Sequence, residues 1–329
     1  MRLPYLDIQS PVLRDFFRKA ELSLLDVGAR GGPYPQLAML APFADLYLCE
    51  PDEKEAHGLK ENLEKKWKRV EIITSALGTK TGHATLHLTR SSGLSSLFQP
   101  NQEIIGQFFN SAGMTDNEPK KGSREIWDVV DSKRVPVEAL DDVCRRYGNV
   151  FDFIKLDTQG TELDILLSGK DRAMPGALAL VVEAEFLPFY EGQPLFGDVE
   201  AYLTKEGFCL LDMKRTLLRR GGLKKKPVYS RREITWAHTF WVRERNRDGS
   251  VLTPLQMHRL ACLTATFWYF DYALWLLASS SMQSYLQNAG FEGVDDELLR
   301  YASEVGKEYA KGFGRKEHWE QGLVVWQDG

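Results

Sequence analysis

Leu24-Leu25-Asp26-Val27-Gly28-Ala29-Arg30-Gly31-Gly32 is answered, one helix length later, by Leu46-Tyr47-Leu48-Cys49-Glu50-Pro51. An apolar run feeding a glycine turn, then a helix, then a second apolar run ending in an acid describes a nucleoside-binding βαβ unit. Glycines without Cβ take up positive φ and let the backbone approach a ligand closely. The helix behind them offers unpaired N–H groups. Glu50 follows Asp26 at a distance that places it to accept hydrogen bonds from both ribose hydroxyls.

The glycine spacing narrows the choice of nucleoside. A dinucleotide fingerprint needs Gly-x-Gly-x-x-Gly, and position 30 is arginine. That disfavours a nicotinamide-dependent sugar oxidoreductase. An acid two residues before Gly28, with glycines again at 31 and 32, resembles the first motif of class I methyltransferases that use S-adenosylmethionine. The resemblance implies a cofactor pocket shaped by Asp26, Gly28, Ala29, Arg30, Gly32 and Glu50, with Ser75 and Ala76 near the adenine.

The chain has 329 residues, 43% of them hydrophobic and 27% charged, with a net charge of −4. These values describe a soluble globular protein, long enough for one large domain and an appendage. Cys49, Cys144, Cys209 and Cys262 are far apart and form no CxxC, so reduced thiols in a cytoplasmic setting are expected. Residues 1–17 are too charged for a signal peptide. Six histidines give no zinc signature: there is no HxH, and the one HxxxH spacing, His83 and His87, falls in a stretch of period-two strand pattern.

Three regions follow: a leading helix in residues 1–20, a catalytic domain in 21–249 and a helical extension in 250–329. Ser10 and Pro11 suit an N-cap and first helical position. Strands are expected at 23–27, 46–49, 70–76, 83–89, 151–156, 177–185, 208–212 and 235–242, with a short extended piece at 135–140. Helices are expected at 34–40, 53–69, 141–147, 161–167 and 198–206. Residues 90–123 read as an active-site lid or binding loop. Alternating strands and helices imply an α/β fold with a doubly wound, mostly parallel sheet and ligands at the carboxyl ends of its strands. That geometry gathers Gly28–Gly32, Glu50, Ser75–Ala76 and Asp157–Gly160, with Glu183 and Glu185 at the border.

A second motif, Phe153-Ile154-Lys155-Leu156-Asp157-Thr158-Gln159-Gly160-Thr161-Glu162-Leu163-Asp164-Ile165-Leu166, puts an acid at the end of a buried strand and another in the next helix's first turn. With Cys49-Glu50-Pro51, Ala76-Leu77-Gly78, Gly93-Leu94-Ser95-Ser96-Leu97, Val182-Glu183-Ala184-Glu185-Phe186 and Phe189–Phe196, the chain resembles the FkbM-type methyltransferase family over roughly residues 20–245. The resemblance implies methyl transfer from S-adenosylmethionine, mostly to hydroxyls of sugars or polyketide-type metabolites. Arg30 departs from the small polar residue expected there. It either binds the cofactor carboxylate or points into solvent. His238 stands where relatives more often carry an acid.

Asp157 is the first choice for the general base, or for a ligand of an optional divalent ion. The competing reading is a carboxylate capping the next helix through Gly160 and Thr161. Glu183 and His238 complete the catalytic candidates, although a histidine among tryptophans also reads as packing. Glu162 has a structural reading as a charge in a first helical turn. Lys155, costly if unpaired in an apolar strand, is expected to pair with Glu183. Ser95, Ser96, Glu185, Arg219 and Arg220 are the substrate-side candidates, the serines doubling as turn formers.

Residues 214–232 carry nine basic residues and no acid, which suggests an anionic acceptor or a lipid headgroup, or else a solvated hairpin. Nucleic acid is disfavoured because no aromatics but Tyr229 interleave these charges. The apolar stretch 255–286 contains Asp271, so two packed helices broken near 269–271 are expected rather than a membrane span. They would dock on the catalytic domain or on a second subunit, or contact a membrane peripherally. A non-catalytic methyltransferase-like scaffold, assembled through residues 250–329, remains the rival of a different class.

Overall fold

The computed structural model describes residues 8–51, 53–111, 114–115, 118–119, 122–221, 223 and 230–312. Its centre is a seven-stranded sheet. We number its strands along the chain as β1 (Ser23–Val27), β2 (Asp45–Cys49), β3 (Arg69–Ile73), β4 (Phe153–Leu156), β5 (Ala179–Glu185), β6 (Phe208–Leu218) and β7 (Glu233–Arg243). The spatial order is 3-2-1-4-5-7-6, and only β7 runs against its neighbours. Strand order reverses between β1 and β4, whose carboxyl ends therefore form the crevice where such sheets bind ligands.

Every residue of β1, β4 and β5 is buried, because helices cover both faces of the sheet. Side chains alternate between two cores. Leu25, Val27, Tyr47, Ile154, Leu156, Leu180 and Val182 face α4 (Leu140–Tyr147), α5 (Glu162–Ser168), α6 (Ala173–Gly176) and α7 (Phe196–Lys205). Leu24, Leu46, Leu48, Phe153, Val181, Phe240 and Val242 face the opposite layer. That layer holds α1 (Pro11–Lys19) and the C-terminal helices α8 (Pro254–Thr266), α9 (Phe270–Leu277), α10 (Ser280–Ala289) and α11 (Val294–Gly312). The remaining helices are α2 (Glu53–Leu63), which follows β2, and α3 (Gln102–Phe108), which lies in the 90–123 segment.

The helical extension thus supplies the second face of the sheet, and one core runs across the 249/250 division. The reason is local. Behind the glycine turn there is no α-helix but a short 3₁₀ stretch, Pro35–Leu40, too small to cover the sheet alone. α8 takes that place, started by Thr253, whose hydroxyl accepts from Gln256 N–H while Gln256 accepts from Thr253 N–H. It is pinned by buried polar contacts. His258 bridges the Tyr285 hydroxyl (3.0 Å) and the Phe16 carbonyl (2.9 Å), and Arg259 pairs with Asp152 (3.1 Å). The break between α8 and α9 falls at Phe267–Tyr269, with Trp268 at φ +69°. Among the described residues no helix is long and apolar enough to cross a membrane.

Two strands are longer than their sequence suggests. Val129–Glu138 is mostly exposed and polar, so no apolar alternation announces its first half. It pairs antiparallel with Gly82–Thr89. β6 continues through Lys214 and Arg215 to Leu218, so the start of the basic run is strand rather than linker. Residues 224–229 of that run lie outside the described residues.

Candidate active site

β1 delivers Asp26 to the switch point, fully buried. Asp26 Oδ2 accepts from the Tyr34 N–H at 2.6 Å, and Oδ1 lies 3.1 Å from Lys155 Nζ. Asp26 therefore shapes the glycine turn from below. Lys155 corrects its expected pairing: its partners are Asp26 and, at 3.6 Å, Asp157, with the Gly28 carbonyl at 3.2 Å. Burial alone would lower the Lys155 ammonium, but the two carboxylates outweigh it and raise it.

Gly28 has φ +78°, and a Cβ there would stand 2.0 Å from the Asp157 carbonyl oxygen. The glycine is dictated by the approach of the β1 and β4 ends to each other. At Gly31 (φ +78°) and Gly32 (φ +121°) an added Cβ would meet nothing within 4 Å, so both line open space. Ala29 N–H donates to the Cys49 carbonyl (3.3 Å), which sets the turn beside Glu50, itself buried at the end of β2. A glycine cradle beside a buried acid fits an adenosine-bearing cofactor, whose amino-acid end the turn would hold and whose sugar diol Glu50 would accept from. Arg30 is exposed, in keeping with the solvent reading.

The end of β4 carries the chemistry. Asp157 and His238 are each about one-quarter exposed, whereas Glu183 is buried. His238 Nε2 lies 3.4 Å from Glu183 Oε1 and 3.9 Å from Asp157 Oδ2. β5 and β7 impose this meeting, since Glu183 pairs with His238 in their register. Burial pushes Asp157 up, but Lys155, a hydrogen bond with Glu183, His238 and Gln159 outweigh it and hold it below the usual range. Burial, then Asp157 and Glu185, push Glu183 well above that range. Burial lowers His238. Their surroundings push the three apart, Asp157 toward its carboxylate, Glu183 toward its acid and His238 toward its neutral imidazole, the split environment that separates base from acid.

These three side chains offer ligand atoms within 4.8 Å of one another. The donor set does not fit a metal centre, because Lys155 already places a positive charge beside the Asp157 oxygen that would coordinate. Gln159 engages the remaining oxygens: its Nε2 donates to Asp157 Oδ1 (2.9 Å) and Glu183 Oε2 (2.5 Å). Gln159 is the site residue that sequence reasoning missed.

Several expected roles change. No side chain caps the next helix, Asp157 included; Glu162, its first residue, instead ties the preceding turn, accepting from Gly160 N–H (2.8 Å), Thr158 N–H (2.6 Å) and the Thr158 hydroxyl (3.0 Å). Burial pushes Glu162 up to about 7. Glu185 is buried with its carboxyl pushed well up by burial and Glu162, and it hydrogen-bonds Gln193. The Ser75 hydroxyl donates to Glu138, while Ala76 pairs with Val137 in a short strand. Ser95 Oγ accepts from Thr89 N–H (3.2 Å), and Ser96 Oγ donates to the Gln159 carbonyl (2.7 Å). Both serines thus make hydrogen bonds within the loop and to the turn after β4. Arg220 is held by Glu233 (2.9 Å) and Gln107 and stacks on Phe108, while Arg219 is exposed. Leu94, Phe98, Ile105, Phe108, Trp127, Phe189, Tyr190 and Trp236 form a third apolar cluster beside the site.

The family model of the Methyltransferase FkbM domain matches residues 26–210. The 2-O-methyltransferase NoeI of Sinorhizobium fredii (strain NBRC 101917 / NGR234) is 26% identical over 179 residues, covering 53% of this chain and 68% of that protein. Among solved structures, N-methyltransferase NodS from Bradyrhizobium japonicum WM9 is 11% identical with a TM-score of 0.30, over 72% of this chain and 99% of that one. M. capricolum TrmK, in complex with S-adenosyl-homocysteine, is 10% identical with a TM-score of 0.29, over 91% and 99%. Those two scores bear on nothing further. With more than half its length matched, and with the switch-point crevice carrying the glycine turn and the strand-end acid, the chain belongs to the FkbM methyltransferase family.

Proposed function

We propose that this protein transfers a methyl group from S-adenosylmethionine to a hydroxyl of a sugar, glycoconjugate or polysaccharide precursor. The observation that carries the reading is the Asp157–Glu183–His238 group at the carboxyl edge of the sheet, beside the glycine cradle. The cofactor, when bound, supplies an electrophilic methyl on a good leaving group. What the chain must add is alignment and a proton acceptor. Alignment of an in-line displacement is worth on the order of 7–11 kcal/mol. A positioned base adds roughly a hundredfold or more.

Asp157, the ionised member, accepts the hydrogen bond of the incoming hydroxyl. As the oxygen forms its third bond, to the methyl carbon, its proton becomes strongly acidic, so a carboxylate held low by Lys155 still suffices to take it. Neutral His238 stands beside it as the second proton acceptor. Glu183 keeps its proton and lends a hydrogen bond to Asp157. The likeness to a 2-O-methyltransferase supports oxygen as the acceptor atom. The engagement of Arg220 within the protein and the buried acids at the site favour a neutral hydroxyl compound over an anion. Four free cysteines support a reducing, cytoplasmic setting.

Isothermal titration with S-adenosylhomocysteine tests the cofactor half. Micromolar binding that is lost in Glu50→Ala supports it, whereas binding of nicotinamide dinucleotides alone rejects it. Mass spectrometry of glycan acceptors with Asp157→Asn tests the other half, with a fall in turnover of about a hundredfold expected.

A further inference from the structure

Gln159 sits in the turn after β4 at φ +62°, a region that side chains other than glycine rarely occupy. Both protons of its amide are committed, one to Asp157 Oδ1 at 2.9 Å and one to Glu183 Oε2 at 2.5 Å. Each acid is thereby left with its other oxygen, and those two, Asp157 Oδ2 and Glu183 Oε1, are the ones that face His238 Nε2. The opposite end of the residue is held as firmly. Gln159 Oε1 lies 3.0 Å from the Tyr190 hydroxyl, which is also 2.9 Å from the Leu94 carbonyl. The Gln159 main-chain carbonyl accepts from the buried Ser96 hydroxyl. A Cβ on neighbouring Gly160 would meet Gln193, Phe98 and Tyr190 at 3.2–3.5 Å, so the loop and the turn are in close contact.

We infer that Gln159 is a positioning residue: its amide fixes which carboxylate oxygens of Asp157 and Glu183 face the acceptor, and the Leu94–Ser96 loop with Tyr190 fixes Gln159. The inference rests on the reading of Asp157 as the base. A neutral donor is suited to this place, because it satisfies two neighbouring carboxyls without adding charge to them. Remove it and the ionised Asp157 loses one of the donors that favour its charged form, so the base holds its proton to higher pH. The other charged groups around the pair are Lys155 on β4, Asp26 on β1, Glu162 on α5, Glu185 on β5, and Lys214 on β6 beyond His238.

Two variants separate positioning from folding. Gln159→Leu deletes the amide in a strained backbone; Gln159→Gly deletes it while relaxing the left-handed conformation. Both are expected to lower kcat about tenfold or more, with KM for the cofactor unchanged and the acid limb of the kcat profile moved to higher pH. Gln159→Glu, a third acid, is expected to be at least as poor. Tyr190→Phe should move the acid limb in the same direction by less. A second readout does not depend on turnover: the His238 imidazole, followed by NMR and identified by its loss in His238→Gln, should titrate at lower pH in Gln159→Gly.

A Gln159→Gly protein with wild-type kcat, pH profile and His238 midpoint would overturn the proposal, leaving Gln159 a turn residue. If the His238 midpoint moves while the wild-type protein methylates no hydroxyl compound, the functional reading fails and the positioning of the acids stands.

Discussion

Asp26 and Lys155 form a buried ion pair across the β1–β4 seam, 3.1 Å from Oδ1 to Nζ, with neither side chain more than 6% exposed. Both belong to sequence motifs that read as ligand-facing, yet their pairing is internal. It holds together the two strand ends that carry the glycine turn and Asp157. Removing one partner of a buried pair leaves an uncompensated charge, at a cost of about 3–5 kcal/mol. Asp26→Ala and Lys155→Ala should each lose that much in urea unfolding. The double variant should lose much less than the sum, and a cycle that adds without coupling would show the pair to be idle.

Gly28 and Gly31 share φ +78° but not surroundings, so alanine should affect them differently. At Gly31 the new methyl enters open space, and the cost is the left-handed strain of about 1–2 kcal/mol. At Gly28 it would also meet the Asp157 backbone, so the β1 and β4 ends must separate. Thermal melts with and without S-adenosylhomocysteine distinguish them. Gly31→Ala should melt slightly early and still be stabilised by ligand. Gly28→Ala should lose both stability and the ligand response.

How much of this was legible follows from what each residue touches. The sheet could be read because β1, β4 and β5 are buried on both faces and so appear as apolar runs, broken only by Asp26, Lys155, Glu183 and Glu185 near their ends. Glu183 and Glu185 could be placed at the site because they lie at a strand end. The roles of Arg220 and Ser96 could not be read, since their partners are Gln107, Glu233 and Gln159, distant in sequence. Gln159 carried one signal, a polar residue just before a turn glycine. One of its two acid partners, Glu183, lies on the neighbouring strand β5 and is distant in sequence. The first half of Val129–Glu138 gave no periodicity because its side chains face water.

Burial raises the pKa values of Asp26, Asp152, Glu162, Glu183 and Glu185, and their sign sets the pH dependence of stability. Glu162 at about 7 and Asp152 at about 6 bind their protons more tightly when folded than when unfolded. The folded state therefore takes up more protons between about pH 4 and 7, and stability falls as pH rises through that window. Glu183 is raised in the same direction. Denaturant midpoints measured from pH 4.5 to 7.5 should decline, and Glu162→Gln should flatten the slope. A midpoint that climbs over this range would contradict the burial of these groups.

Chelation provides a separate check on the charge at Asp157. Lys155 already supplies a positive charge there, so methyl transfer should survive dialysis against EDTA, and added Mg²⁺ or Mn²⁺ should leave kcat within about twofold. Lys155→Met should instead depress turnover, because it raises Asp157 and removes the partner of Asp26. Loss of activity on chelation, restored by one divalent ion, would make the Asp157–Glu183–His238 group a metal centre.

The C-terminal helices bear on whether residues 250–329 act as an assembly module. Phe267 stacks on Phe240 (4.5 Å) and lies 5.4 Å from Phe153, and Tyr269 stacks on Phe240 (5.3 Å). Phe267 also stacks on Tyr34, whose N–H holds Asp26, so this layer reaches the glycine turn through one ring. A chain ending at residue 249 would expose Phe153, Val181, Phe240 and Val242 to water. It should be recovered as aggregate, or as a species lacking a cooperative melt. Phe267→Ala in the full chain should lose about 3–5 kcal/mol and weaken S-adenosylhomocysteine binding through Tyr34. A soluble truncated protein that binds the cofactor normally would instead mark the helices as a separable module, which is what the scaffold reading requires.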